Sequence, residues 1–193
     1  MKIWKIKGDI SSRACFDTED SYENSHNLYN FHAKGMIENW KGLNVSFTSE
    51  KSSVDELPLN NVIVFTSYSS LFVCDEYAKE KITQKYNCIQ FLPVTPIEED
   101  ISRKSNYYLP NVLNIIEGLD ESKCQFRYLR EKYLIGVKKY YFNEDVKKYP
   151  IFFVKTLNHT FLDLFVTDEF KNYTEKCNIS GFMFEEVFDF DAF

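Results

Sequence analysis

The last sixteen residues of the chain, 178–193, contain five phenylalanines alternating with four acidic residues and no basic residue. Burying one phenylalanine contributes roughly 1.5–3 kcal/mol, so this segment is expected to form a strand or turn packed on the core. The side chains expected to face the core are those of Phe182, Phe184 and Phe188. The carboxylates then project outward, and we call this surface the acidic ridge: Glu185, Glu186, Asp189 and Asp191, with Phe190 beside them. A fixed acidic surface of this kind favours binding over catalysis.

Length and charge restrict the class of protein and of partner. The 193 residues suit one domain, or two tightly joined lobes covering residues 1–100 and 101–193. The net charge of -6 and pI near 5.2 argue against a nucleic-acid or anionic-membrane binder and favour a basic protein partner. No apolar run is long enough to span a bilayer, and the N-terminus has no secretion signal. The five scattered cysteines lack a Cys-x-x-Cys pair, so we expect reduced thiols in the cytoplasm.

Hydrophobic periodicity predicts an α+β fold with a mostly antiparallel or mixed sheet and a few packed helices. Alternation predicts strands over residues 2–7, 43–48, 62–66, 88–94, 107–116, 133–142, 151–155 and 161–166. Apolar spacing predicts a helix over 70–86 capped by Ser69 or Ser70, and a shorter helix from Thr167 that ends near Asn178 in left-handed geometry. Pro110 is expected to place its strand at a sheet edge or to break it. The polar segment 9–30 is expected to be irregular and mobile.

The sequence contains no motif for catalysis, a cofactor or a metal. It lacks glycine-rich phosphate-binding loops, His-Glu-x-x-His and Gly-x-Ser-x-Gly. Its histidines, His26, His32 and His159, have no zinc-ligand spacing, and no local motif supports a nucleophilic pair of Cys177 with His159. Adjacent acidic residues point apart on a helix or a strand, so they are expected to be solvated charges. We therefore predict no catalytic residue, no cofactor and no metal site.

One region leaves a second interpretation open. Lys138, Lys139, Lys147 and Lys148 alternate with aromatic residues, a pattern in which nucleic-acid bases can stack on rings beside cations. The acidic balance of the chain weakens this interpretation, and strand aromatic residues with exposed lysines are the simpler one. The alternative function is a small enzyme that acts on nucleic acid or a nucleotide.

Several segments, taken in order, resemble a family of bacterial immunity proteins from polymorphic toxin systems. The similarity runs from about residue 57 to residue 187 and is not evident before that. It is carried by residues 62–67, 70–86 and 89–94, Tyr107-Tyr108-Leu109-Pro110-Asn111-Val112, Leu119-Asp120-Glu121-Ser122, Phe165-Val166-Thr167-Asp168-Glu169-Phe170 and Ser180-Gly181-Phe182-Met183-Phe184. The last segment resembles the family's Thr-Gly-apolar-x-Phe ending, with Ser180 in place of the more frequent Thr. Physically, Ser180 and Gly181 fit a tight turn that feeds Phe182 and Phe184 into the core.

The resemblance implies a non-enzymatic inhibitor that binds a toxin domain encoded next to it, in competition between bacteria. It predicts a cytoplasmic antitoxin covering a basic toxin domain through a face of about 1,600 Å². The predicted toxin-binding residues are those of the acidic ridge, Glu185, Glu186, Asp189, Phe190 and Asp191, with segment 9–30 as the alternative face. Nucleic acid and membrane are not expected partners.

Overall fold

The computed structural model describes residues 1–8, 14–16, 40, 42–48, 59–64, 71–97, 105–130, 132–156 and 159–192. The strands in these ranges are β1 (Lys2–Gly8), β2 (Ala14–Phe16), β3 (Asn44–Thr48), β4 (Val62–Val64), β5 (Phe72–Asp75), β6 (Ile89–Pro96), β7 (Tyr107–Val112), β8 (Ile115–Ile116), β9 (Gln125–Leu129), β10 (Tyr133–Lys139), β11 (Ile151–Thr156), β12 (His159–Thr167) and β13 (Phe182–Asp189). The helices are α1 (Glu76–Lys85), α2 (Asp168–Lys176) and two short 3₁₀ helices at Glu144–Lys148 and Phe190–Ala192.

The strands form two large sheets and one separate hairpin. Sheet I has the order β13-β1-β12-β11-β8, and sheet II has the order β2-β3-β6-β7-β5-β4. Most pairs are antiparallel, whereas β8 with β11 and β3 with β6 are parallel. Strands β9 and β10 pair only with each other. This mixture of sheets with packed helices confirms the predicted α+β class, and the division into lobes near residue 100 stays a prediction. Neither α1 nor α2 is long and apolar enough to cross a membrane.

The two sheets and both α-helices enclose a central cluster of buried side chains. Its members are Ile6, Val62, Phe72, Cys74, Ala78, Ile82, Tyr86, Ile89, Val112, Ile151, Phe153, Leu164, Val166, Phe170 and Ile179. An outer cluster covers the other face of sheet II and includes Leu92 and Leu109. The sheet I outer cluster consists of Ile3, Leu119, Tyr140, Phe142, Val146, Phe152, Val154 and Phe165. Both sheets are thus apolar on both faces, which explains unbroken apolar runs such as residues 151–154.

Strand β1 confirms the strand predicted over residues 2–7 and lies inside sheet I between β12 and β13. Ile6 faces the central cluster with Trp4 packed against it, and Ile3 faces the sheet I outer cluster. The Trp4 indole N–H donates to Asp168 Oδ1 at 2.8 Å, and the Lys2 backbone N–H donates to Asp168 Oδ2 at 2.7 Å. The first residue of α2 therefore ties that helix to β1.

The predicted helix over residues 70–86 starts too early, because its first part is strand β5. That strand pairs with β4 and β7, and α1 begins immediately after it. Asp75 caps α1 instead of either predicted serine, since its Oδ1 accepts a hydrogen bond from the Ala78 N–H at 2.8 Å. Cys74 of the strand and Ala78 of the helix contribute to the same central cluster. A strand followed by a helix thus reproduces the apolar spacing of one longer helix.

Strand β7 departs from the prediction for Pro110, because it is an unbroken interior strand of sheet II. It pairs with β6 along its whole length but with β5 only at Tyr107 and Tyr108. Pairing with β5 therefore ends before Pro110, and the missing N–H costs no hydrogen bond on that side. The predicted strand over residues 107–116 divides into β7 and β8. The segment 9–30 lies outside the described residues except for β2, so its predicted mobility stays a prediction.

The predicted C-terminal strand is confirmed by β13, an edge strand of sheet I. Asn178 follows α2 with a φ of 54°, as predicted, and Gly181 turns the chain into β13 with a φ of 101°. Phe182 and Phe184 pack against the central cluster, and Phe188 packs against the sheet I outer cluster. All three phenylalanines are half-buried, so they fasten an edge strand to the core without entering its centre.

Candidate functional site

The residues of the acidic ridge lie together at the end of β13 and in the 3₁₀ helix that follows it. Glu185, Glu186 and Asp191 are exposed, whereas Asp189 and Phe190 are half-buried. The carboxylates therefore reach solvent along one edge of sheet I, but Glu185 and Glu186 are consecutive strand residues and point to opposite faces of the sheet.

The acidic ridge is, however, compensated by cations from β1. Lys7 Nζ lies 2.9 Å from Glu185 Oε2, and Lys2 Nζ lies 2.6 Å from Glu186 Oε2. The N-terminal ammonium contacts Asp191 and lies 3.8 Å from Asp189 Oδ1. Its hydrogen bond lowers the pKa of Asp191, and the same bond raises the pKa of the ammonium. The ridge thus presents a weaker negative field than its sequence suggests.

Phe190 of the ridge packs against the protein instead of projecting from it as an anchor. Its ring lies 4.9 Å from the Phe188 ring in an edge-on arrangement, and Lys147 Nζ lies 4.2 Å from its centroid. These contacts satisfy its apolar surface within the chain. Phe190 thus helps to hold the C-terminus to the sheet I outer cluster, and its part in toxin binding stays a prediction.

A second surface, which we call the basic hairpin, consists of β9, β10 and their turn, residues 125–139. Phe126, Leu134 and Val137 pack against the sheet I outer cluster and fix the hairpin to the core. Its remaining large apolar side chains face solvent, with exposed fractions of 54% for Tyr128, 53% for Leu129, 65% for Tyr133 and 50% for Ile135. Among the described residues, four of the seven exposed large hydrophobic side chains lie here. Such a concentration is typical of an interaction surface.

The basic hairpin also differs in charge from the rest of the protein. Residues 125–139 contain five basic residues and one acidic residue, whereas the chain as a whole has a net charge of -6. Arg127, Arg130, Lys132 and Lys138 form no ion pair with any residue that the structure describes. These cations are therefore available to a partner.

Sequence reasoning predicted a strand over residues 133–142 but missed β9, and so missed the hairpin. The signal that could have found it is the pair of apolar segments Phe126-Arg127-Tyr128-Leu129 and Tyr133-Leu134-Ile135, separated by three charged residues. Strand β10 ends at Lys139, because Tyr140 turns into the sheet I outer cluster.

The lysine and tyrosine region of the nucleic-acid alternative forms no continuous stacking surface. Tyr140 is buried and donates a hydrogen bond to Asp163 Oδ2 at 2.6 Å, and Asp163 also binds Lys5 at 2.6 Å. Burial and the charge of Asp163 raise the pKa of Tyr140. Lys147 and Lys148 form ion pairs within their own 3₁₀ helix. Tyr140, Lys147 and Lys148 are thus engaged within the fold, whereas Lys138 forms no ion pair with a described residue.

One titratable cluster joins α1 to β7. Glu76 accepts hydrogen bonds from Lys79 Nζ at 2.8 Å and from the Tyr108 hydroxyl at 2.5 Å, and Lys79 lies 3.9 Å from the centre of the Tyr108 ring. The Lys79 bond and then the Tyr108 bond lower the pKa of Glu76 to about 2. The cluster fastens the first turn of the helix to the neighbouring strand, which explains the low pKa without a catalytic role.

Because the pKa of Glu76 is lower in the folded chain, its ionised form stabilises the fold above its ordinary pKa of 4.5, and this contribution is lost as the pH falls toward 2. The free energy of unfolding of wild type should therefore exceed that of Glu76→Gln by a constant amount above pH 5.5. The difference should shrink below pH 4.5. Denaturant titrations of both proteins measure it, and the same comparison in a Lys79→Met background should show a weaker pH dependence. A difference that does not change between pH 5 and 2.5 would exclude this role.

The described residues contain no group of three or more His, Cys, Asp or Glu side chains able to hold a metal ion. His26 and His32 lie outside these residues, and His159 begins β12. Cys74, Cys88, Cys124 and Cys177 are free thiols. Burial raises the pKa of the first three, so they are poor nucleophiles at neutral pH.

A comparison with protein families matches residues 7–189 to the immunity protein family (Imm11). The chain belongs to this immunity protein family. The match begins at residue 7, so it also includes residues 7–56, for which the sequence alone gave no resemblance. The matched range includes the Ser180-Gly181 turn, the basic hairpin and all of β13. It ends before Phe190 and Asp191 of the acidic ridge. The search of curated proteins found no match for the chain.

Proposed function

We propose that this chain is an antitoxin that neutralises one cognate toxin domain of a polymorphic toxin system by binding it stoichiometrically. The observation that carries the proposal is the match of residues 7–189 to an immunity protein family. An immunity protein of this kind acts by occupancy: it covers the active site or substrate groove of the toxin and need not transform any substrate.

The surface of the chain supports a role in binding. Tight protein complexes usually bury about 1,600 Å² in total and depend on a few aromatic and arginine anchors. The basic hairpin exposes Tyr128, Tyr133 and Arg127 on a fixed projection. These are the residue types enriched at the centres of interfaces.

The charge and the cysteines of the chain support two further details of the proposed function, the charge of the toxin and the compartment. A basic toxin domain fits the overall charge of -6, and action in the cytoplasm of the producing bacterium fits the reduced cysteines. The acidic ridge remains the predicted contact for a basic toxin. Glu185→Gln with Glu186→Gln tests it more cleanly than reversing Asp189 and Asp191, because lysines at those two positions would face the N-terminal ammonium.

The function is tested by expressing the C-terminal domain of the protein encoded by the upstream neighbouring gene, with and without this chain. The proposal expects growth arrest by the toxin domain alone, survival with both, and co-purification of the two proteins at a constant ratio. Survival without a complex, or no protection at all, would contradict it. Gly181→Ala, argued below to destabilise the fold, is a suitable negative control.

A further inference from the structure

We propose that the basic hairpin, residues 125–139, inserts its turn into a groove on the toxin domain that has apolar walls and acidic residues where the turn lies. This inference rests on the proposed function. It adds which surface of this chain binds the toxin and what chemistry the contacted surface of the toxin has. It differs from the prediction for the acidic ridge in both the residues used and the charge of the partner.

The first argument is the placement of the exposed apolar side chains. Leu129 and Tyr133 pair directly across the hairpin and share one face, and Ile135 lies two residues farther along β10. Tyr128 pairs with Leu134 on the opposite face. A flat partner surface could cover Leu129, Tyr133 and Ile135 but not Tyr128, which lies on the opposite face. A groove that receives the tip could cover them all.

The second argument is charge complementarity. Arg130 and Lys132 belong to the turn, Arg127 lies on β9, and Lys138 lies near the base of β10. None of the four is paired with an acidic residue in the described chain. Cations at the turn and apolar side chains on the strands beside it favour a groove with apolar walls and with Asp and Glu where the turn lies. The net negative charge of the rest of the chain repels these acidic residues and so directs the encounter to the hairpin.

The third argument is the rigid base of the hairpin. The Tyr141 backbone N–H donates to Cys124 Sγ at 3.3 Å, and the Asp120 N–H donates to the Tyr141 carbonyl at 2.8 Å. Lys123 Nζ binds Asp120 Oδ2 at 2.7 Å, and Leu119 bridges to Phe142. An isolated two-stranded hairpin is only marginally stable in water. These bonds and the inward-facing Phe126, Leu134 and Val137 hold it in place, which lowers the entropy cost of binding.

Two double variants test the two parts of the inference, with the purified toxin domain of the neighbouring gene product as the probe. Leu129→Ser with Tyr133→Ser should raise the Kd at least about 30-fold, since both side chains would be central anchors. Arg130→Glu with Lys132→Glu should lower the association rate about tenfold at low salt, and the effect should shrink as added salt screens the charges. Ile97→Ser with Met183→Ser is the matched control, because both are exposed large apolar side chains outside the hairpin, and it should change the Kd less than twofold. Thermal unfolding of each variant checks that the fold is retained.

The outcomes separate this inference from the proposed function. If wild type fails to bind the toxin domain, the proposed function is wrong and the hairpin inference is wrong with it. If wild type binds and both hairpin variants bind equally well, the hairpin inference alone is wrong. Loss of binding only in Glu185→Gln with Glu186→Gln would assign the site to the acidic ridge. Hairpin-dependent self-association in sedimentation, or hairpin-dependent RNA binding without toxin binding, would replace the proposed occupant and overturn the inference.

Discussion

Replacing Gly181 with alanine is expected to lower the free energy of unfolding by roughly 3 kcal/mol or more. Gly181 has a φ of 101°, and a Cβ there would lie 1.8 Å from the Val62 carbonyl oxygen and 2.8 Å from Asn60 Cβ. The backbone cannot move away cheaply, because the Val62 N–H donates to the Ser180 carbonyl at 3.0 Å. The added methyl group would therefore push β13 away from β4 and draw Phe182 out of its packing.

The matched control is Gly42→Ala. Gly42 also has a positive φ, of 88°, but a Cβ there would meet no atom within 4 Å. Its substitution should cost only the backbone strain, about 1–2 kcal/mol. Denaturant unfolding of the two variants separates strain from steric clash. Equal losses of stability would show that the close approach to Val62 is unimportant.

A second large effect is expected at the centre of the protein, where Phe170→Ala should cost about 3–5 kcal/mol. Phe170 is fully buried, and its ring centroid lies 5.2 Å from that of Tyr86 and 5.9 Å from that of Phe182. The side chain thus joins α2 to α1 and to β13, and its removal leaves a cavity where these three elements meet.

The comparison for Phe170→Ala is Tyr133→Ala on the basic hairpin. Tyr133 is 65% exposed, so its loss should change the free energy of unfolding by no more than about 0.5 kcal/mol. The effects on toxin binding should be the reverse of those on stability. Tyr133→Ala should weaken binding, whereas the folded fraction of Phe170→Ala should bind the toxin as wild type does. A Tyr133 variant that unfolds as easily as the Phe170 variant would show that the hairpin is part of the core.

The C-terminal third of the fold could be predicted from the sequence because its signals are local. Thr167 occupies the predicted N-cap position of α2, and Asn178 has the left-handed geometry expected after the helix. The start of α1 could not be predicted in this way. Strand β5 satisfies the same apolar spacing as a helical turn, and only its pairing with the distant β4 and β7 decides between the two structures.

The candidate site was harder to predict because charge compensation is a long-range property. The acidic ridge stands out in the sequence, but Lys2 and Lys7, which pair with Glu186 and Glu185, come from the other end of the chain. The exposed aromatic residues of the basic hairpin are ordinary strand residues in sequence. Their exposure follows only from the isolation of β9 and β10 from both large sheets.

The Ser180-Gly181 motif that first pointed to the family has a structural role. The Asn61 N–H donates to Ser180 Oγ at 3.0 Å, and the Ser180 N–H donates to Asn61 Oδ1 at 3.0 Å. Asn61 Nδ2 in turn donates to Asp75, the N-cap of α1, at 2.8 Å. The motif thus joins the start of β13 to β4 and α1, which supports a binding surface elsewhere on the molecule.

The central claim is that this chain acts by occupying its partner, and a titration of toxin activity against added chain tests it most directly. Purified toxin domain at a fixed concentration is assayed for its toxic activity while the chain is added in steps. Occupancy predicts a linear fall that reaches zero at a fixed molar ratio, with activity returning when the two proteins are separated. Complete inactivation by a small fraction of one equivalent, increasing with incubation time, would show catalytic neutralisation and contradict the account.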